Sequence, residues 1–409
     1  MRVIFHIDMD AYFATCHKAI NSQIRSKPVV VVHKNVSSAI ITAVCYEARK
    51  YKIKVGMSLY HAKNLCPNLI VETAIHSLYV NFSVKIFELL SQKYTSKIVI
   101  ASIDEFFLDV TTIIGRNRSV KYLAQKIQQD IWNKFQISNS IGISYNPFLA
   151  KTATDLKKPM GISIITPQNL SKTINTLPIA KICSVGKVSQ EKLKQINIYT
   201  VDDFLNFENQ KLLIRTLGKN NFNSLILKLT GKSGDQLIYT NNFVKSISKE
   251  TSDIVNPLEF NELINVIHHL TNDIYLKMKN RRLKTKGISI MFRTEQKKIT
   301  RQATLDNYSN NYQELLALAI NLFNKNWEGD KAIQILGVSF YHLEYEYNTF
   351  EQLTIDNYQK NKIISQTDQL INQINKKYKK NVLYKGIDFL ESKPLNSIDI
   401  QDKFILFKK

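Results

Sequence analysis

The feature that most restricts this 409-residue chain is where its acids fall relative to its apolar runs. The run Val3-Ile-Phe-His-Ile7 stops at Asp8 and Asp10. Farther along, Ile98-Val-Ile-Ala-Ser-Ile103 and Phe106-Phe-Leu-Asp-Val110 are separated only by Asp104 and Glu105. Short apolar runs of this kind read as buried strands. The second pair reads as a hairpin with the two acids in its turn. Ser140-Ile-Gly-Ile-Ser-Tyr145 is a further strand. Two helical patterns lie between them. One puts Tyr79, Phe82, Ile86 and Leu90 on a single face. The other does so with Val120, Leu123, Ala124, Ile127 and Ile131, behind Ser119 as N-cap. Strands alternating with helices predict a sheet with helices packed on it. Four acids placed at the ends of apolar strands repel one another unless cations neutralise them. Mg²⁺ is such a cation, because it needs only one or two carboxylates beside substrate phosphates. Read singly, the Asp-x-Asp and the Asp-Glu turn are also compatible with ordinary solvated acids.

The rest of the chain divides by pattern. Residues 13–75 interrupt the sheet as a small insertion, with Pro28 and Pro67 near its ends. From 166 to 235 the pattern is purely helical, and Thr200-Val-Asp-Asp203 reads as a capping box. A polar linker covers 236–242. Beyond it comes a second α/β unit, with Ile288–Arg293 as a strand. Its helix carries Tyr312, Leu315, Leu316, Ala319, Ile320 and Phe323 on one face. Residues 346–409 form a polar tail with one amphipathic helix around Ile364, Leu370, Ile371 and Ile374.

Lys and Arg number 56 against 34 Asp and Glu, a formal net charge of +22. Such a field favours a polyanion, nucleic acid first and an anionic membrane surface second. Basic residues recur in the second α/β unit: Lys245 and Lys249 flank one strand, Arg281, Arg282, Lys284 and Lys286 cluster, and Arg293 and Arg301 lie on strand-like segments. Together with the charge they predict a sequence-neutral, salt-sensitive phosphate groove. The four cysteines have no zinc or disulfide spacing, which fits a reducing, cytoplasmic compartment. Asp8 and Asp10 interrupt the N-terminal apolar run, against a signal peptide, and no run of about 20 apolar residues exists to span a membrane.

At this point the motifs themselves resemble a known family. Asp8-Met-Asp-Ala-Tyr-Phe13 and Ser102-Ile-Asp-Glu-Phe-Phe-Leu-Asp-Val110 resemble the two catalytic motifs of Y-family, DinB/UmuC-type DNA polymerases. Tyr46-Glu-Ala-Arg-Lys50 resembles their fingers motif. Ser140-Ile-Gly-Ile-Ser, Phe148-Leu-Ala-Lys151 and Lys158-Pro-Met-Gly161 resemble the palm. Leu177 to Lys187 resembles the thumb, and Lys245-Ser-Ile-Ser-Lys-Glu-Thr251 the first little-finger strand. Six motifs in family order over about residues 1–345 make the likeness specific.

The resemblance implies an α+β, multidomain right-hand polymerase. Its ferredoxin-like palm covers 1–12 and 76–165, its small fingers 13–75, its helix-hairpin-helix thumb 166–235 and its α/β little finger 243–345. It implies low-fidelity, template-directed DNA synthesis, in translesion synthesis and repair. Asp8, Asp104 and Glu105 are then catalytic metal ligands, with the Met9 carbonyl, for two Mg²⁺ ions that Mn²⁺ can replace. Phe13 is the steric gate against ribose. Tyr12, Tyr46, Arg49 and Lys158 bind the triphosphate. Gly186, Lys187, Lys245, Lys249, Arg281, Arg282, Arg293 and Arg301 hold DNA. The partners implied are primer-template DNA, dNTPs and a sliding clamp, the last through Gln352-Leu-Thr-Ile-Asp356 or Phe404-Ile-Leu-Phe407 in the tail of a monomer. Lys376-Lys-Tyr-Lys-Lys380 resembles UmuC-type extensions.

Two departures stand out. Where the family has Thr-Ala-Asn before the fingers Tyr, this chain has Ala43-Val44-Cys45. Where the thumb hairpin has Pro-Gly-Val-Gly, it has Cys183-Ser184-Val185-Gly186. Two other classes stay open, a catalytically idle DNA- or clamp-binding relative and a nucleotidyl cyclase-like palm.

Overall fold

The computed structural model describes residues 2–114, 119–233, 237, 244–329 and 331–349. They divide into two compact units, separated near residue 240. Most of the 236–242 linker, the tail helix, both clamp-like peptides and the 376–380 basic run lie outside the described residues.

The first unit starts with β1 (Ile4–Met9) and α1 (Tyr12–Ile20). An inserted layer follows, made of β2 (Val29–Val32), β3 (Ile41–Val44), α2 (Tyr46–Arg49), α3 (Leu59–Leu65) and β4 (Ile70–Thr73). Its three strands form their own sheet in the order β3-β2-β4. The chain then returns through α4 (His76–Lys93), β5 (Ile98–Ile100), β6 (Glu105–Asp109), α5 (Val120–Phe135), β7 (Asn139–Ser144), α6 (Pro147–Asp155) and β8 (Ile162–Ile164). These strands and β1 build one sheet, β5-β6-β1-β7-β8. Without β8, its β1-α4-β5-β6-α5-β7 path is the expected ferredoxin-like arrangement.

Strand alternation divides this sheet between core and chemistry. Phe5, Ile7, Met9, Phe106, Leu108, Ile141 and Ile143 point to one face, under Tyr79, Ile86 and Leu90 of α4 and Ala124, Ile127 and Ile131 of α5. Each large side chain buried there contributes roughly 1.5–3 kcal/mol. Both predicted helices form, and Ser119 caps α5 as expected by accepting from the Tyr122 N–H. The opposite face carries His6, Asp8, Glu105, Phe107, Ser140 and Gly142, with α6 packed on part of it. Gly142 makes that packing possible. A Cβ there would stand 2.0 Å from the Ala150 carbonyl oxygen and 2.3 Å from the Thr154 nitrogen.

The helical part consists of α7 (Leu170–Ile174), α8 (Lys187–Gln195), α9 (Val201–Leu205), α10 (Gln210–Leu217) and α11 (Lys219–Leu229). The capping box predicted at Thr200 and Asp203 opens α9. Phe148, Leu149 and Ala153 of α6 belong to the core of this part, so α6 joins it to the five-stranded sheet.

The second unit runs β9 (Ser246–Thr251), α12 (Phe260–Asn280), β10 (Leu283–Arg293), β11 (Lys298–Ser309), α13 (Tyr312–Asn324) and β12 (Ile335–Tyr345). Its antiparallel sheet has the order β11-β10-β12-β9, with both helices on one face. The predicted helix over Tyr312–Phe323 is α13, and the predicted strand Ile288–Arg293 is the second half of β10. Among the described residues no helix is long and apolar enough to cross a membrane.

Candidate active site

Asp8 and Glu105 are direct partners across the antiparallel β1–β6 pair, and Ser140 faces Asp8 from β7. The register therefore brings together acids 97 positions apart, about 5 Å between Cα atoms. One expectation is corrected. Glu105 is not a turn residue but the first residue of β6, because the turn closes earlier: the Ala101 and Ser102 N–H groups both donate to the Glu105 carbonyl. Asp104 ends that turn. Its carbonyl accepts from the Met9 N–H at 3.0 Å, and its carboxylate accepts from the Ser102 hydroxyl at 2.5 Å. Asp10 does not join the group. Its buried carboxylate accepts from the Ser140 hydroxyl at 2.8 Å and the Met160 N–H at 2.9 Å. Among the described residues no three His, Cys, Asp or Glu side chains converge on a point that would hold a metal by themselves.

The electrostatics separate the two facing acids. Burial pushes the Asp8 carboxyl up to about 7, with Glu105 and Asp104 adding to the rise and Lys158 opposing it. The Lys158 ammonium lies 2.9 Å from Asp8 and 2.9 Å from Asp155. Burial alone would lower the Lys158 pKa, but these two acids outweigh it and raise it. Glu105 is held down, to about 2, by the His6 imidazole and then by Lys151. The His6 contact, at 3.7 Å, is longer than a hydrogen bond, so the Lys151 ammonium at 2.6 Å is the firmer hold. His6 is itself fixed from below by the Thr154 hydroxyl at 2.8 Å.

Helix α1 starts directly after these acids. Ala11 takes the left-handed conformation (φ 48°) and no side chain caps the helix, so its first N–H groups are left for another acceptor. The expected triphosphate contact by Tyr12 is corrected at the level of its side chain. The ring is buried in the core and its hydroxyl donates to the Tyr79 carbonyl at 2.6 Å, so only the backbone of Tyr12 is left to meet a ligand. Phe13, half-buried, stacks on Tyr79 at 4.2 Å between centroids and 11° between planes. The Tyr79 hydroxyl accepts from the Ile75 N–H and lies 2.9 Å from His17 Nε2. His17 Nδ1 is 3.4 Å from Glu72.

Tyr46 and Arg49 share α2, as predicted, with the Arg49 guanidinium 4.4 Å above the Tyr46 ring. Arg49 Nε also donates to the Val44 carbonyl. The departure at Cys45 gains a structural meaning here. The thiol caps α2, accepting from the Ala48 N–H at 3.4 Å and from the Val29 N–H at 3.0 Å. Glu47 of α2 pairs with the buried Lys18 of α1, which ties the helix bearing Phe13 to the helix bearing Arg49.

In the thumb-like part, Gly186 caps α8 and Lys187 is its first residue. Ser184, which stands where the family motif has its first Gly, has φ 78°. A left-handed conformation costs a residue with a Cβ about 1–2 kcal/mol. Ser184→Gly is expected to raise the melting temperature by about 2–4 °C, measured by thermal unfolding with and without duplex DNA.

In the second unit, the basic residues divide by sheet face. Arg293, exposed at the end of β10, points away from the helices, on the face of Ser289 and Met291. Two expectations need correction. Lys249 follows Ile247 on the helix side of β9 and its ammonium is paired with Asp273 of α12. Arg301 faces Ile290 across the β10–β11 pair, also on the helix side, and its Nε donates to Asn326 at 2.9 Å. Strand alternation decides both cases. Arg281 and Arg282 form the turn between α12 and β10, with Arg282 at φ 52°, and Lys245 is exposed just before β9.

His6, Lys151 and Tyr79 adjoin the site without being among the residues expected in it. Signals for all three were present: His6 lies at i−2 from Asp8 on the same strand face, Lys151 lies within the palm motif, and Tyr79 leads the apolar face of α4.

Comparison with known proteins agrees with this geometry. Residues 7–155 match the impB/mucB/samB family, and residues 244–355 match the impB/mucB/samB family C-terminal domain. DNA polymerase IV of Ureaplasma parvum serovar 3 is 34% identical over 354 residues, covering 86% of this chain and 97% of that protein. DNA polymerase IV of Bacillus anthracis is 30% identical over 394 residues, covering 95% and 94%. A chimera of the Y-family DNA polymerases Dbh and Dpo4 superposes with a TM-score of 0.75 at 25% identity, covering 84% of this chain and 99% of that one. The insertion ternary complex of Dbh DNA polymerase gives 0.61 at 25% identity, with the same coverage. Motifs, sheet topology, strand register and relatives agree: the chain belongs to the impB/mucB/samB family, the DinB-type branch of the Y-family DNA polymerases.

Proposed function

We propose that this chain extends a DNA primer on a DNA template by transferring nucleotides from dNTPs, at low fidelity, in translesion synthesis. The observation that carries the reading is the register of β1 on β6, which sets Asp8 and Glu105 side by side on the coreless face, next to Asp104. The donor set fits hard divalent cations. It offers oxygen donors only, three carboxylates and a backbone carbonyl, and the Asp8 carboxyl is raised first by burial and then by the neighbouring Glu105 and Asp104 charges, which a cation would offset. It is not a closed three-ligand cage, and Mg²⁺ needs none when substrate phosphates supply further oxygens.

Asp8, Asp104, Glu105 and the Met9 carbonyl would hold two Mg²⁺ ions, which Mn²⁺ can replace. When bound, they supply charge neutralisation at the primer 3′-oxygen, the α-phosphate and the departing pyrophosphate. The protein's own part is placement. The uncapped N–H groups of α1 receive phosphate oxygens. Arg49, Tyr46 and Lys158 hold the triphosphate, with Arg49 able to grip it bidentately. Phe13 lies under the sugar and leaves no room for a 2′-hydroxyl. The 3′-oxygen then attacks the α-phosphorus, a P–O bond forms, and the bond to pyrophosphate breaks. Gly186, Lys187, Lys245 and Arg293 would meet the DNA backbone. A sliding clamp would dock on residues 352–356 or 404–407, on the resemblance of those peptides alone, and the monomer would work in the cytoplasm. Purified protein with Mg²⁺, dNTPs and a primed template tests the reading: primer extension supports it. DNA binding without extension would make the chain an idle relative, and a cyclic nucleotide formed without DNA would make it a cyclase.

A further inference from the structure

We infer that Asp10 is a positioning residue: its carboxylate fixes the turn that aims Lys158 into the active site, and so sets the affinity for the nucleotide triphosphate. The inference rests on the reading of Lys158 as a triphosphate ligand. Asp8 and Asp10 both meet the same turn, Asp8 through the Lys158 side chain and Asp10 through the Met160 backbone.

Asp10 is 1% exposed, and each of its oxygens has its own donor, Ser140 Oγ on one and the Met160 N–H on the other. A carboxylate used this way is committed to structure, since burying it without partners would be costly. What it holds is the middle of a turn whose ends are tied elsewhere, Lys158 to Asp8 and Asp155 at the entry and the Gly161 carbonyl to Ile141 and Gln128 at the exit. Met160 sits at φ 54°, which residues with a Cβ seldom adopt. The turn is also tightly closed at Gly161, where a Cβ would stand 1.5 Å from the Lys157 carbonyl oxygen. The exit of the turn is tied to β7, because the Gly161 carbonyl accepts from the Ile141 N–H at 2.9 Å. Asp10 ties its middle to the end of β1. Lys158, at its entry, is thereby delivered beside Asp8 rather than left on a free loop.

Single-nucleotide insertion kinetics on wild type, Asp10→Asn, Lys158→Ala and the double variant test this. Asp10→Asn is expected to raise the KM for dNTP about tenfold while lowering kcat less. In the Lys158→Ala background it is expected to add nothing, because the residue it acts through is gone. Ser140→Ala, which removes the donor that orients the Asp10 carboxylate toward Met160, is expected to raise KM about two- to threefold, and if Asp10→Asn does not fold an unchanged KM in Ser140→Ala overturns the inference. An unchanged KM in Asp10→Asn, or effects that multiply in the double variant, overturns the inference. An unchanged KM in Lys158→Ala overturns the reading of Lys158 itself, and the inference with it.

Discussion

Asp104→Ala and Glu105→Ala are each expected to lower primer extension on the order of 10³-fold or more, with duplex affinity nearly unchanged. The two substitutions act from different backgrounds. Asp104 makes one side-chain hydrogen bond, to Ser102, so its removal disturbs the fold little and tests the chemistry cleanly. Glu105 is the partner of Lys151 and sits above His6, so its loss frees a cation as well as removing a ligand. Glu105→Gln keeps the shape and separates these effects. Single-turnover extension of a labelled primer, with DNA affinity measured in parallel, gives both numbers. Robust extension by Asp104→Ala would remove the proposed ligand set.

Phe13→Ala should raise ribonucleotide incorporation relative to deoxyribonucleotide incorporation by roughly 10²-fold. A gate discriminates only if it cannot retreat, and Phe13 has a firm backing. Its ring lies flat on Tyr79, whose hydroxyl is engaged by the Ile75 N–H and by His17, and His17 is in turn beside Glu72. The measurement compares kcat/KM for one rNTP and its dNTP opposite the same template base. Equal sugar discrimination in Phe13→Ala and wild type would show that another group reads the 2′ position.

Much of this site was legible in the residues. The acids at apolar strand ends, the helical faces around Tyr79 and Ile127, and the Thr200 capping box are local signals, and the structure keeps all of them. What stayed hidden depends on register and on distance along the chain. The two-residue Asp-Glu turn became a four-residue turn with Glu105 in the strand, because the backbone of Ala101 and Ser102 closes on the Glu105 carbonyl. No local pattern states that Asp10 meets Met160, 150 positions away, or that Lys151 reaches Glu105. The basic cluster of the second unit showed the same limit in reverse. Charge identified Lys249 and Arg301, but alternation on edge strands turned both toward the helices and gave them Asp273 and Asn326 as partners. The two family departures also became meaningful only as geometry, Cys45 as a helix cap and Ser184 as a left-handed residue.

The count of Mn²⁺ ions in a complex with dideoxy-terminated primer, template and dNTP, read by electron paramagnetic resonance, goes to the centre of the account. Wild type should hold about two ions per ternary complex, the one that the nucleotide carries included, and Asp8→Asn and Glu105→Gln should each lose at least one. The same count in both variants as in wild type would mean that the paired acids of β1 and β6 hold no metal, contradicting the account.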